Sequence, residues 1–84
     1  MKKHVEYKTS GTCSRMITVE VEDGTVTDCQ ISGGCHGNTQ GLASLVRGMR
    51  AEDAISRLKG IKCGFKSTSC PDQLAHALEE ALGE

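Results

Sequence analysis

The chain carries five cysteines and little else with which to hold a small fold together. Cys13, Cys29, Cys35, Cys63 and Cys70 spread over most of its 84 residues, Tyr7 and Phe65 are the only rings, and there is no tryptophan. A domain of this length draws only about 3–5 kcal/mol from its apolar core, so a covalent or metal staple is expected. The length allows one domain, residues 1–84. No apolar run is long enough for a bilayer. Met1-Lys2-Lys3-His4-Val5-Glu6 has no hydrophobic stretch behind its lysines and does not read as a secretory signal. The expectation is a cytoplasmic protein with no membrane association, whose thiols stay reduced. An odd cysteine count also leaves one thiol over in any disulfide framework. Both points favour metal binding or thiol chemistry over structural disulfides.

The apolar pattern changes period along the chain. His4 to Thr9 reads as a first strand. From Arg15 to Glu22, Ile17, Val19 and Val21 alternate with Thr18, Glu20 and Glu22, which predicts a strand with one buried face. Asp23-Gly24 is a strong two-residue hairpin signal, and Thr25 to Ser32 is the return strand. Strict alternation there puts Thr27, Cys29 and Ile31 on one face and Val26 on the other. Asn38 can cap a helix after the glycine-rich stretch 33–38, and Leu42, Leu45, Val46 and Met49 follow at helical spacing up to Gly48. Ala51 to Leu58, stopped by Gly60, is a second short helix. Residues 61–69 show no period. Pro71 opens a last helix whose stripe is Leu74, Ala77, Leu78, Ala81 and Leu82, with Gly83 at its end. The fold class is α+β: an antiparallel three-stranded sheet with a hairpin, covered on one face by about three helices.

Four cysteines stand at turns or element ends: Cys13 before the second strand, Cys35 between a strand and a helix, Cys63 in the aperiodic stretch and Cys70 directly before Pro71. Side chains at such places can converge without disturbing a ladder. Cys35 and Cys70 also fall at expected helix N-termini, where unpaired N–H groups and the positive dipole end favour the thiolate. Four thiolates gathered from separate elements suit a tetrahedral zinc ion, which would turn binding energy into folding energy. The competing reading is that all four are small buried hydrophobes. Cys29 lies in mid-strand and reads as core. His36 adjoins Cys35 and is a possible substitute ligand, though a loop histidine facing solvent is the simpler reading; His76 falls opposite the apolar stripe and reads as exposed. No nucleotide loop, paired carboxylates or Ser/His/Asp set stands out.

The formal net charge is −1, but Arg47, Arg50, Arg57, Lys59, Lys62 and Lys66 face only Glu52 and Asp53 between positions 47 and 66. This basic stretch could meet an acidic protein or a nucleic acid; an ordinary solvated helix surface is the plainer alternative.

Thr68-Ser69-Cys70-Pro71-Asp72 spells TSCPD. Together with Gly11-Thr12-Cys13-Ser14, Gly33-Gly34-Cys35-x-Gly37-Asn38 and Gly60-Ile61-x-Cys63-Gly64 it resembles the TSCPD-domain family, over about Thr9 to Leu82. The family's characteristic cysteines match Cys13, Cys35, Cys63 and Cys70. Similar domains stand at the C-terminus of adenosylcobalamin-dependent ribonucleotide reductases. The resemblance therefore implies a link to ribonucleotide reduction, deoxynucleotide supply and DNA synthesis, with ribonucleotide reductase as a partner. The activity it points to, ribonucleoside-diphosphate reduction, needs a large barrel, a cobalamin site and a radical-forming cysteine that 84 residues do not hold. An accessory module without stand-alone activity is expected. Cys13, Cys35 and Cys70 also resemble, by position, the three cysteines of IscU/NifU-type iron–sulfur scaffolds, which have a sheet covered by helices. A fourth cysteine at position 63 favours a closed zinc site over one that must release a cluster. An iron–sulfur carrier and a thiol oxidoreductase are the alternative functions.

Overall fold

Asp23 and Gly24 both take positive φ, 52° and 83°, the geometry of a tight two-residue hairpin turn. The strands they join belong to a computed structural model that describes residues 2–9, 11, 14–33, 36–62, 64 and 68–83. Its elements are β1 (Lys2–Lys8), β2 (Ser14–Glu22), β3 (Thr25–Gly33), α1 (His36–Val46), α2 (Ala51–Leu58) and α3 (Cys70–Ala81). The strands form one antiparallel sheet in the order β1-β2-β3. This is the expected α+β class.

The alternation on β2 holds: Ile17, Val19 and Val21 are all buried. On β3 it breaks. Val21 pairs with Val26, whereas Glu20 pairs with Asp28, so Thr27 is an extra residue opposite no partner. This bulge turns Val26 onto the same face as Cys29, and both are 0 % exposed. Thr27, expected beside Cys29, faces solvent instead, and its hydroxyl donates to the Glu20 carbonyl at 3.2 Å.

The helices cover the face made by Ile17, Val19, Val21, Val26 and Cys29. α3 supplies Leu74, Ala77, Leu78 and Ala81, α2 supplies Ala51 and Ala54, and α1 supplies Ala43 and Val46. Small alanines let the helices approach closely, which suits a chain poor in large apolar residues. α1 begins at His36, two residues before the expected Asn38 cap, so Asn38 lies within its first turn. Its buried face is Thr39, Ala43 and Val46, and Leu45, expected in the stripe, is 70 % exposed. Gly48, at φ 88°, ends that run, and residues 48–51 then lie along the outer edge of β3. Gly48 N–H donates to Val26 O, Val26 N–H to Met49 O and Ala51 N–H to Gly24 O, each at 2.8 Å. Further along the same edge, Arg47 donates to Cys29 O at 2.8 Å and stands 3.5 Å from Asp28. A covered edge does not template unwanted strand pairing.

These contacts orient the layers. The C-terminal end of α1 and the start of α2 meet the hairpin end of the sheet, near Gly24 and Val26. The N-terminal ends of α1 and α3 lie at the opposite end, where β2 begins and β3 stops.

Candidate functional site

Of the four candidate ligands, Cys13, Cys35 and Cys63 lie outside the described residues, as does the side chain of His36. Among the described residues no group of three or more His, Cys, Asp or Glu side chains is placed to hold a metal ion. Cys70 is described: it is the first residue of α3, half-buried, at the positive end of the helix. Cys29 is wholly buried, and desolvation pushes its thiol up to about 11 despite the nearby Arg47 guanidinium. A thiol that stays protonated at neutral pH is a poor ligand and a poor nucleophile. The core reading of Cys29 stands.

The start of α3 is a closed polar fixture. Ser69 has extended backbone (φ −152°, ψ 170°), and its hydroxyl accepts from Asp72 N–H at 3.2 Å, as an N-cap does. The same hydroxyl donates to the Ile61 carbonyl at 2.6 Å. Asp72 Oδ1 accepts from Gly60 N–H at 2.7 Å, and Oδ2 accepts from the Thr68 hydroxyl. Gln73 Nε2 donates to Thr68 Oγ1 at 2.9 Å. The hydrogen bond from Thr68, and then that from Gly60, hold the Asp72 carboxyl below the ordinary carboxylate range. Thr68, Ser69, Asp72 and Gln73 are all buried, and among the described residues no buried side-chain nitrogen or oxygen lacks a partner. A polar cluster satisfied in this way positions backbone. The sequence marks Cys70 and Pro71 at this helix start and Thr68 to Asp72 as a motif, without a role for Ser69, Asp72 or Gln73. The spacing Ser69-x-x-Asp72 before an apolar stripe is the signal that could have found the rest.

The segments that hold the other three cysteines have described residues on each side, and these residues meet. Ser14, just after Cys13, pairs with Gly33, two residues before Cys35. Thr9 N–H donates to Arg15 O at 3.2 Å and closes the β1–β2 connection. Gly11, two residues before Cys13, lies against Thr68, two residues before Cys70. A Cβ on Gly11 would stand 3.0 Å from Thr68 Cγ2, and its φ of 73° excludes most side chains as well. Ile61, two residues before Cys63, is bonded to Ser69, the neighbour of Cys70.

Other features are separate from this end. A shallow groove of about 410 Å³ runs between β3 and α1, bordered by Gln30, Ile31, Thr39, Ser44 and Arg47. Its polar groups are amides, hydroxyls and one guanidinium already engaged with β3. His76, expected to be exposed, is half-exposed and stands between two carboxylates, 3.4 Å from Asp72 and 3.2 Å from Glu79. Glu79 also receives Lys59 Nζ at 2.6 Å. The basic stretch is thus partly neutralised within the fold, through Arg47 with Asp28 and Lys59 with Glu79. No helix among the described residues is long and apolar enough to cross a membrane.

A three-stranded antiparallel sheet with three helices packed on one face defines a small α+β domain. The family model described as the TSCPD domain matches residues 1–82, and the chain belongs to that family. Comparison with curated proteins gives no match, and comparison with solved structures gives none. Neither comparison extends the likeness to iron–sulfur scaffolds.

Proposed function

We propose that this protein is a small zinc-binding module in which Cys13, Cys35, Cys63 and Cys70 together hold one ion. In this reading it serves as an accessory or interaction domain in ribonucleotide reduction, without catalysis of its own. The observation that carries the metal site is the meeting of flanking residues: Ser14 with Gly33, Gly11 with Thr68, and Ile61 with Ser69. These three contacts link all four cysteine-bearing segments at one end of the sheet. Cys35 directly precedes α1 and Cys70 opens α3, so both stand at element ends. Four soft sulfur donors suit zinc, whose role here would be to close the fold across its connections. The link to ribonucleotide reductase is supported by family membership. The exposed residues Arg57 and Lys62 would be the part of the basic stretch offered to an acidic partner.

Metal analysis of freshly purified protein tests the site. About one zinc per chain is expected, and less than about half an equivalent, with no other metal bound, overturns it. Iron in place of zinc, with sulfide-dependent charge-transfer absorption after anaerobic reconstitution, would turn the reading into a cluster carrier.

A further inference from the structure

We propose that the outer edge of β1 is a self-association surface, on which a second copy of this chain lays its own β1 antiparallel about a two-fold axis at Val5. The two edges of the sheet differ. Residues 48–51 and Arg47 bond to the backbone of β3 and close that side. β1 is the other edge, and among the described residues no hydrogen bond reaches the outer backbone of Lys2–Lys8. Thr9 N–H donates to Arg15 O, so the odd-numbered residues of β1 turn their N–H and C=O groups toward β2. Lys2, His4, Glu6 and Lys8 turn theirs outward. The strand pairs with β2 from Lys2 to Lys8 without a bulge and holds no proline, so two of the devices that blunt a sheet edge are missing. Its lysines stand toward the ends, and its remaining groups are self-complementary. Pairing about Val5 sets each His4 opposite Glu6 of the other copy, Val5 opposite Val5 and Tyr7 opposite Lys3. A two-fold axis normal to the sheet keeps both helix layers on one side, the side on which Val5 and Tyr7 are half-buried. The Val5 pair is then of the close, non-hydrogen-bonded kind, with Cα atoms about 4.5 Å apart. The Lys3 stem lies along the Tyr7 ring. Lys2 meets Lys8, the one like-charged match, but Lys2 is already held by Glu20 at 3.1 Å. Moving the axis to His4 leaves Lys8 without a partner and sets His4 against itself. This surface is independent of the metal reading, since β1 carries no cysteine.

Sedimentation equilibrium of the full chain from micromolar to millimolar concentration, with amide hydrogen exchange read by NMR at both ends of that range, tests the surface. A monomer–dimer equilibrium is expected, and the amides of His4 and Glu6 should exchange about 10-fold or more slowly in the dimer than in the monomer. Glu6 is exposed, and Glu6→Lys sets a lysine against each His4. It turns favourable cross-strand pairs into unfavourable ones and should raise the dimer dissociation constant about 10-fold. Glu6→Pro removes an outward N–H that the β1–β2 ladder does not use and should raise it further. Glu52→Lys makes the same change of charge on the exposed side of α2 and should leave it unaltered. Should Glu6→Pro not fold, Glu6→Lys decides. A monomer at every concentration overturns the proposal. So does a dimer that Glu6→Lys leaves as tight as before, because the contact then lies on another surface. Slow exchange of the His4 and Glu6 amides already in the monomer overturns it too, because another segment of the same chain then covers the edge.

Discussion

Cys29 and Cys70 put the same side chain in two opposed settings. Cys29 is sealed among aliphatic residues at the middle of β3, with its thiol pushed up to about 11. Cys70 opens α3, half-buried, within a ring of hydrogen bonds and at the positive end of a helix dipole. The first setting suppresses sulfur chemistry, and the second leaves the sulfur partly open to solvent. The two regions around them differ in the same way. The sheet core is held by burial of small apolar groups, whereas the far end is held by directional bonds from Ser69, Asp72 and Thr68. Stability at the far end should depend on metal, and stability in the core should not.

The largest effect is expected from Cys70→Ser. Small structural zinc sites contribute about 10–16 kcal/mol of apparent binding energy at neutral pH, much of it coupled to folding. The variant should lose its metal and melt as the chelator-treated wild-type protein does. Added chelator should lower the melting temperature of the wild-type chain and leave that of Cys70→Ser where it is. A variant that still responds to chelator in full would break the contrast.

Leu78→Ala tests the other half. Leu78 is 0 % exposed where α3 packs on the sheet, and truncating such a residue costs about 2–5 kcal/mol. The loss, read from denaturant midpoints, should be the same with and without chelator. A loss that vanishes when chelator is added would mean that the core and the far end are one cooperative unit with no division between them.

What could be read from the sequence follows the same division. The hairpin was legible because Asp23-Gly24 leaves few alternatives, and α2 because its stripe ends against Gly60. Helix starts were harder: the glycine-rich stretch hid the beginning of α1, since glycine marks flexibility more readily than it marks a boundary. The bulge at Thr27 was invisible because period-two reasoning assumes unbroken register, and one extra residue inverts every side chain beyond it. Leu45 shows that helical spacing allows two neighbouring faces and that packing selects between them. At the candidate site the place of Cys70 at a helix start was legible. The ties from Asp72 to Gly60 and Thr68 were not, because they join residues through tertiary contact.

The smallest expected effect gives the finest test of the contrast. Cys29→Ala removes one sulfur from a packed core, at about 1 kcal/mol near neutral pH. The cost should change sign with pH. The folded-state value of about 11 lies above the ordinary thiol value of 9.0, so the folded protein keeps its proton where the unfolded chain releases it. The stabilisation from burying the neutral thiol is complete below pH 9. It is lost as pH rises through the folded-state value, and roughly 2 kcal/mol has gone by pH 11. The alanine variant has no such loss, and other titrating groups are common to both proteins and cancel. Denaturant midpoints at pH 7, 9 and 11 should therefore show wild type ahead, then a narrowing gap, then the variant ahead. A gap that stays constant across that range would mean that Cys29 ionises as readily folded as unfolded. The reading of Cys29 as a thiol silenced by the core would then be lost.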